Sequence, residues 1–214
     1  MKKITTLVLG LTAVCALTAC GGGKGKEVSA KEFKAEAAKI EAHQYTSATL
    51  TYEITEKGKT VDDESLAAAL LGGEVKTKDV NESEKGSIEY KFENGEWTTG
   101  SNDAHAAEYA ETMSMNLKDM VGTLSDDGVD GYHFYVNPFG VEAVLNIEPT
   151  EIYAGIKGGT TMSSYSAYDK YGFVTKGEVK ATVTMDFTGS SVESLAKLGK
   201  LESITNANIT ISYK

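Results

Sequence analysis

Apolar and polar residues alternate strictly over 48–55, with Ala48, Leu50, Tyr52 and Ile54 on one side and Thr49, Thr51, Glu53 and Thr55 on the other. A period of two is the signature of a strand with one buried face. The same rhythm returns at Ile88, Tyr90 and Phe92 against Glu89, Lys91 and Glu93. There Asn94-Gly95 predicts a type I′ hairpin turn into Glu96-Trp97-Thr98. From Gly131 onward strand signals follow one another. Tyr132–Val136, Val141–Ile147 and Glu151–Ile156 are separated by Asn137-Pro138-Phe139-Gly140 and by Pro149-Thr150. Gly158-Gly159 and Tyr171-Gly172 are expected to punctuate the next two. The longest strand is predicted over 173–187, where Val179, Ala181, Val183, Met185 and Phe187 oppose Lys180, Thr182, Thr184 and Asp186. A loop or short helix over 190–199 precedes a last strand carrying Ile209, Ile211 and Tyr213.

Three segments instead follow a helical period. Ser29-Ala-Lys-Glu32 is a capping box, and Ala30, Phe33, Ala37 and Ile40 then predict a helix over 29–43. Asp62-Asp63-Glu64 with Leu66, Leu70 and Leu71, stopped by Gly72-Gly73, predicts a short helix with acid at its positive end. Asp103 is expected to cap a longer one through about Leu124, with Ala106, Tyr109, Met113, Leu117, Met120 and Leu124 in one stripe. Turn signals at roughly ten-residue spacing indicate an antiparallel meander and not βαβ units. One-sided alternation leaves one sheet face wet and one buried, and the stripes of helices 29–43 and 103–124 are its natural covers. The expected fold is a single α+β domain over 29–214: a large curved antiparallel β-sheet, an incomplete barrel, with helices packed on its inner face.

The N-terminus reads differently. Lys2-Lys3 precede an apolar stretch from Ile4 to Leu17, too short to cross about 30 Å of hydrocarbon. Its proportions are those of a signal peptide over 1–19. Leu17-Thr18-Ala19-Cys20 resembles the lipobox of bacterial lipoproteins. That resemblance implies cleavage before Cys20, an S-diacylglyceryl thioether on it and an acylated new N-terminus. Cys15 fits less well, because Val14 before it is bulky. Two or three acyl chains hold a protein stably on a membrane where one does not. Residues 20–28, rich in Gly and Lys, then serve as a flexible tether to an exported domain on the outer face of the cell membrane.

Composition narrows the partners. The chain has 21 Lys, no Arg and 31 acidic residues. Loss of Lys2 and Lys3 with the leader leaves a net charge of −12. Nucleic acid is excluded as a partner on this ground, since phosphate binding needs clustered cations. The lipid on Cys20 is the expected hold on the membrane. With Cys15 removed and Cys20 in a thioether, neither disulfides nor thiolate chemistry remains, so packing must supply the stability.

The order of elements, the segment Tyr168-Asp-Lys-Tyr-Gly172-Phe-Val-Thr-Lys176 and the closing Ile209-Thr-Ile-Ser-Tyr213 are similar to the LolA/LppX-like lipoprotein fold. That fold is an incomplete β-barrel with helices plugging its mouth. The resemblance implies binding of acyl chains or lipidated molecules in an apolar cavity; it transfers no functional residue.

Candidate chemistry is sparse. His43, His105 and His133 lack the spacing of a zinc site. Asp126-Asp127-Gly128-Val129-Asp130-Gly131 departs from a calcium loop at its third and twelfth positions, Gly128 and Asn137. No Gly-x-Ser-x-Gly or Walker pattern occurs in the mature chain, and neither an enzyme nor a cofactor or metal is expected. Met113, Met115 and Met120 suit an adaptable apolar pocket. Tyr109, Met113, Leu117 and Met120 are the candidate ligand-lining residues. The expected function is a membrane-anchored, non-enzymatic lipoprotein that binds or carries a hydrophobic or lipid-like ligand. A structural, interaction or sensor module with a filled core is the alternative.

Overall fold

A computed structural model describes residues 25–62, 73 and 75–214. The leader, Cys20 and most of the helix expected after Asp62 lie outside the described residues. The protein is mostly antiparallel sheet: nine strands, with four helices, among the described residues.

Strand β1 (Lys26–Val28) lies within the stretch expected to be tether. It pairs with β5 (Tyr132–Val136), Lys26 opposite Val136, so residues 26–28 belong to the sheet. Helix α1 (Ala30–Ala37) starts as its sequence predicts. Glu32 N–H donates to Ser29 Oγ at 3.2 Å, and Ser29 N–H to Glu32 Oε2 at 3.1 Å. It stops well short of residue 43. Bonds from Lys39 N to Glu36 O and from Ile40 N to Ala37 O tighten the last turn enough to bury Ile40. Beyond it Glu41, His43 and Gln44 offer no apolar face to bury, so continuing the helix gains nothing.

The helix expected over 103–124 is two: α2 (Ala106–Ser114) and α3 (Leu117–Val121). Asn116 breaks it because its side chain has other partners. Its Oδ1 accepts the Lys118 N–H at 2.9 Å and its amide donates to Tyr171 O at 3.0 Å, while Leu117 N–H donates to Gly172 O. These bonds clamp the helix pair to the turn 169–173. Gly172, at φ +81°, is required there: a Cβ would stand 2.8 Å from Asn116 Oδ1.

The remaining strands are β2 (Ser47–Val61), β3 (Thr77–Glu93), β4 (Glu96–Thr98), β6 (Phe139–Tyr153), β7 (Ile156–Tyr168), β8 (Val174–Asp186) and β9 (Lys200–Tyr213). Helix α4 (Glu193–Ala196) occupies the segment read as loop or short helix. The order across the sheet is β1-β5-β6-β7-β8-β9-β2-β3-β4, antiparallel throughout. The Asn94-Gly95 turn forms as expected, with φ of 55° and 90°.

Two expected breaks are not breaks. Strand β6 runs straight through Pro149, with the register shifting between Ile147 and Thr150. Proline is tolerated because β5 pairs only with Gly140–Ala143, leaving the outer part of β6 an edge where no ladder N–H is missed. Gly158 and Gly159 lie within β7 opposite this bulge, where Ile152 and Pro149 leave no room for a Cβ. The turn falls instead at Ala154-Gly155, both at positive φ.

Pairing places Leu50 between Ile88 and Ile211, and Tyr52 between Gly86 and Ile209, on one apolar face. The main core joins these strand residues to Phe33 and Ala37 of α1, Tyr109 and Met113 of α2, and Leu117 and Val121 of α3. Phe33 packs on Phe134 at 5.0 Å between ring centroids and meets Phe139 edge-on at 6.0 Å. A second cluster, Ile156, Phe187, Leu195 and Leu201, seals α4 at the other end.

The Tyr52 ring lies over Gly86, filling the volume a side chain there would need. Gly86→Ala should therefore lower the unfolding free energy by about 1–3 kcal/mol in urea titration. Ser87→Ala, exposed on the same strand, should stay within about 0.5 kcal/mol of wild type.

Candidate functional site

Tyr109, Met113 and Leu117 are buried in the main core against β2, β3 and β9. Their side chains are spent on packing. Met120, one turn beyond Leu117, is 43% exposed, and its Sδ lies 3.9 Å from Tyr168 Oη. The four residues are therefore near one another in the fold but do not share one surface.

Above this core a polar group marks where the helices end. Tyr52 Oη donates to Asp103 Oδ2 at 2.8 Å and lies 3.4 Å from Glu84 Oε1. The Asp103 Oδ1 accepts the His105 N–H at 2.8 Å, and His105 Nε2 is 3.4 Å from the same Glu84 oxygen. Asp103 thus caps a turn before α2 instead of starting a long helix. The rings of Tyr52, His105 and Tyr109 stand 5.3–5.9 Å apart. Burial first, then the Asp103 bond, pushes the Tyr52 phenol well above its ordinary range. Burial does the same to Tyr109. Both hydroxyls stay protonated at neutral pH, so the group works as a latch fixing the segment 99–105 to β2 and β3.

Beyond Tyr52 the apolar face continues without α1–α3 in its cluster. Met162, Val179, Ala181 and Ala207 form a separate buried group with Ile54 against it. The register carries this face outward. Leu145 pairs with Met162 and Met162 with Ala181; Ile147 pairs with Thr160 and Thr160 with Val183. Leu145, Ile147 and Val183 are 38%, 50% and 39% exposed, far more than core side chains on the same face. Ile152 and Tyr153 extend the exposed apolar row along β6. The signal for this surface was present in the sequence as the run Val144-Leu-Asn-Ile147, but alternation alone assigns such residues to the buried side.

The opposite face of the sheet holds a polar cleft of about 700 Å³ where β2, β3 and the segment 98–101 meet. Ser47, Thr49, Ser87, Glu89, Lys91 and Lys214 line it, together with Ile88 and Tyr90.

The histidines are dispersed. His43 stacks on Tyr171 at 4.0 Å, and His133 Nδ1 lies 2.8 Å from Glu27 Oε1. Asp126, in the segment weighed as a calcium loop, pairs with Lys34 at 3.1 Å. Among the described residues, no group of three or more His, Cys, Asp or Glu side chains converges as a metal site would need. Comparison with protein families, with curated proteins and with solved structures gave no match to this chain.

Tyr90, whose hydroxyl donates to Ala106 O at 2.8 Å, is pushed up to about 12 by burial, and so is Tyr168. In the unfolded chain both ionise near pH 10. Folding holds the neutral form, so this stability is complete below about pH 10 and lost as pH rises through about 12. Denaturant titration should show the unfolding free energy falling over that window, with a shallower fall in Tyr90→Phe.

Proposed function

We propose that the chain is a membrane-anchored, non-enzymatic lipoprotein whose incomplete barrel holds a hydrophobic or lipid-like ligand. The ligand lies on the part of the apolar face beyond the helices. Helices α1–α3 plug one end of the barrel's inner face; Leu145, Ile147, Met162 and Val183 offer the rest. The observation that carries this reading is the continuity of that face. Exposed apolar side chains adjoin buried ones in register across β6, β7 and β8. Covering such area contributes about 25 cal/mol per Å² before ordering costs. A net charge of −12 after cleavage supports lipid on Cys20 as the hold on the membrane and argues against a nucleic-acid partner.

The second reading is an interaction module of the cell envelope. It is favoured by the free edge of β6 beyond Val144, where Leu145, Ile147 and Ile152 are exposed. An unpaired apolar edge is a template for a partner strand.

Intact-mass analysis of the protein from cell membranes should give a chain that begins at Cys20 and carries diacylglycerol; Cys20→Ser should release it from the membrane. Native mass spectrometry of the Cys20→Ser domain should show co-purifying lipid. Leu145→Glu with Val183→Glu should weaken binding of a fluorescent fatty acid at least tenfold, with the thermal midpoint nearly unchanged because both sites are open. Met113→Ala should instead lower stability by about 2–5 kcal/mol. A lipid-free protein whose double variant binds the probe like wild type would leave the interaction module as the function.

A further inference from the structure

The described chain begins at Gly25, packed against the carbonyls of Val136 and Asn137. Cys20 is five positions upstream, a reach of about 12 Å for Gly-rich chain. The ladders show which other groups share this end of the sheet. Phe139 pairs with Tyr168 and Tyr168 with Val174, while Tyr213 pairs with Ala48 and Ala48 with Tyr90. The turns 137–138, 169–173 and 94–95 and the C-terminal Lys214 all belong to it. The opposite end, carrying α4 and the turn at 154–155, is about 45 Å away along β2.

The anchored end gathers rings: His43 is exposed, and Tyr45, Tyr171, Phe173 and Tyr213 are half-buried. His43 stacks on Tyr171, which Lys170 Nζ covers at 4.7 Å. Tyr45 stacks on Tyr213 at 4.8 Å and meets Phe173 edge-on at 5.1 Å; its hydroxyl donates to Asp169 at 2.7 Å. Beneath them Trp97, buried in the main core, lies 5.7 Å from Tyr213. Rings with one apolar and one polar end suit the headgroup layer of a bilayer, where both are accommodated. We propose that this end of the sheet is a lipid-docking surface, with His43, Lys170 and Tyr171 seated among headgroups; the assignment rests on the anchored-lipoprotein reading. The tether makes docking intramolecular, so ring contacts too weak to bind alone suffice. Glu41, Glu93 and Glu96 at the same end make the contact one of rings and not of cations, and a zwitterionic surface serves it. The ligand face then lies farther from the membrane than the ring cluster.

Cys20 is the mature chain's sole cysteine and is consumed by lipid, so an introduced cysteine is a unique label. Lys214→Cys and Lys197→Cys, exposed at the two ends, are each labelled with bimane on the lipidated full-length protein. Each is reconstituted in phosphatidylcholine vesicles containing headgroup-spin-labelled phosphatidylcholine. Quenching at position 214 should exceed that at 197 at least threefold, and Tyr171→Ser should cut the ratio by half or more with the near-UV dichroism kept. Equal quenching in a protein whose mass confirms the lipid overturns the docking surface and leaves the anchor standing. A ratio unmoved by Tyr171→Ser overturns the ring contact. A mass without lipid overturns the anchor and the docking surface together.

Discussion

The pairing of β2 with β9 holds the molecule together. Ala48 opposite Tyr213 through Gly58 opposite Ser203 joins the first hairpin to the C-terminal meander. Without it the chain would be a hairpin and a separate sheet, each with an open apolar face. The contact closes a loop of about 160 residues, so its entropic cost must be met by burial. Leu50, between Ile88 and Ile211, supplies that burial at the centre of the join. Everything the helices cover is organised around it.

The helical cover and the open face are two halves of one surface, divided at Tyr52. Below it, Phe33, Tyr109, Met113 and Leu117 fill the space against the sheet. At the division Tyr52 rests on Gly86 and is held by Asp103, so its ring cannot swing out of the boundary. Beyond it the side chains on the sheet become small or exposed: Ala181, Ala207, Thr160, Val183. A filled core and an exposed apolar surface thus coexist on one sheet because the polar latch stops the helices at a fixed place.

The edges of the sheet are handled in opposite ways. The outer edge of β3 carries Lys78, Asp79, Glu82, Glu84 and Lys85, charges that discourage a strand from pairing there. The free part of β6 has Leu145, Ile147 and Ile152, guarded only by Pro149 and its bulge. That contrast concentrates exposed apolar surface on one edge.

Sequence periodicity was enough for the centres of most strands, their one-sided faces, the capping box at Ser29 and the Asn94-Gly95 turn, because each depends on neighbours within a few residues. It also showed which side chains are apolar on helix 103–124, but not that the helix would break. Asn116 leaves it for Tyr171, and Leu117 N–H for Gly172, more than fifty residues away, and no local pattern encodes that clamp. Pro149 likewise read as a terminator, since only the sheet order makes it an edge residue. Most consequentially, the burial of Tyr109, Met113 and Leu117 against the strands could not be read until those strands were placed. A period reports that a side chain is apolar and where it points; what it meets there is decided by long-range packing.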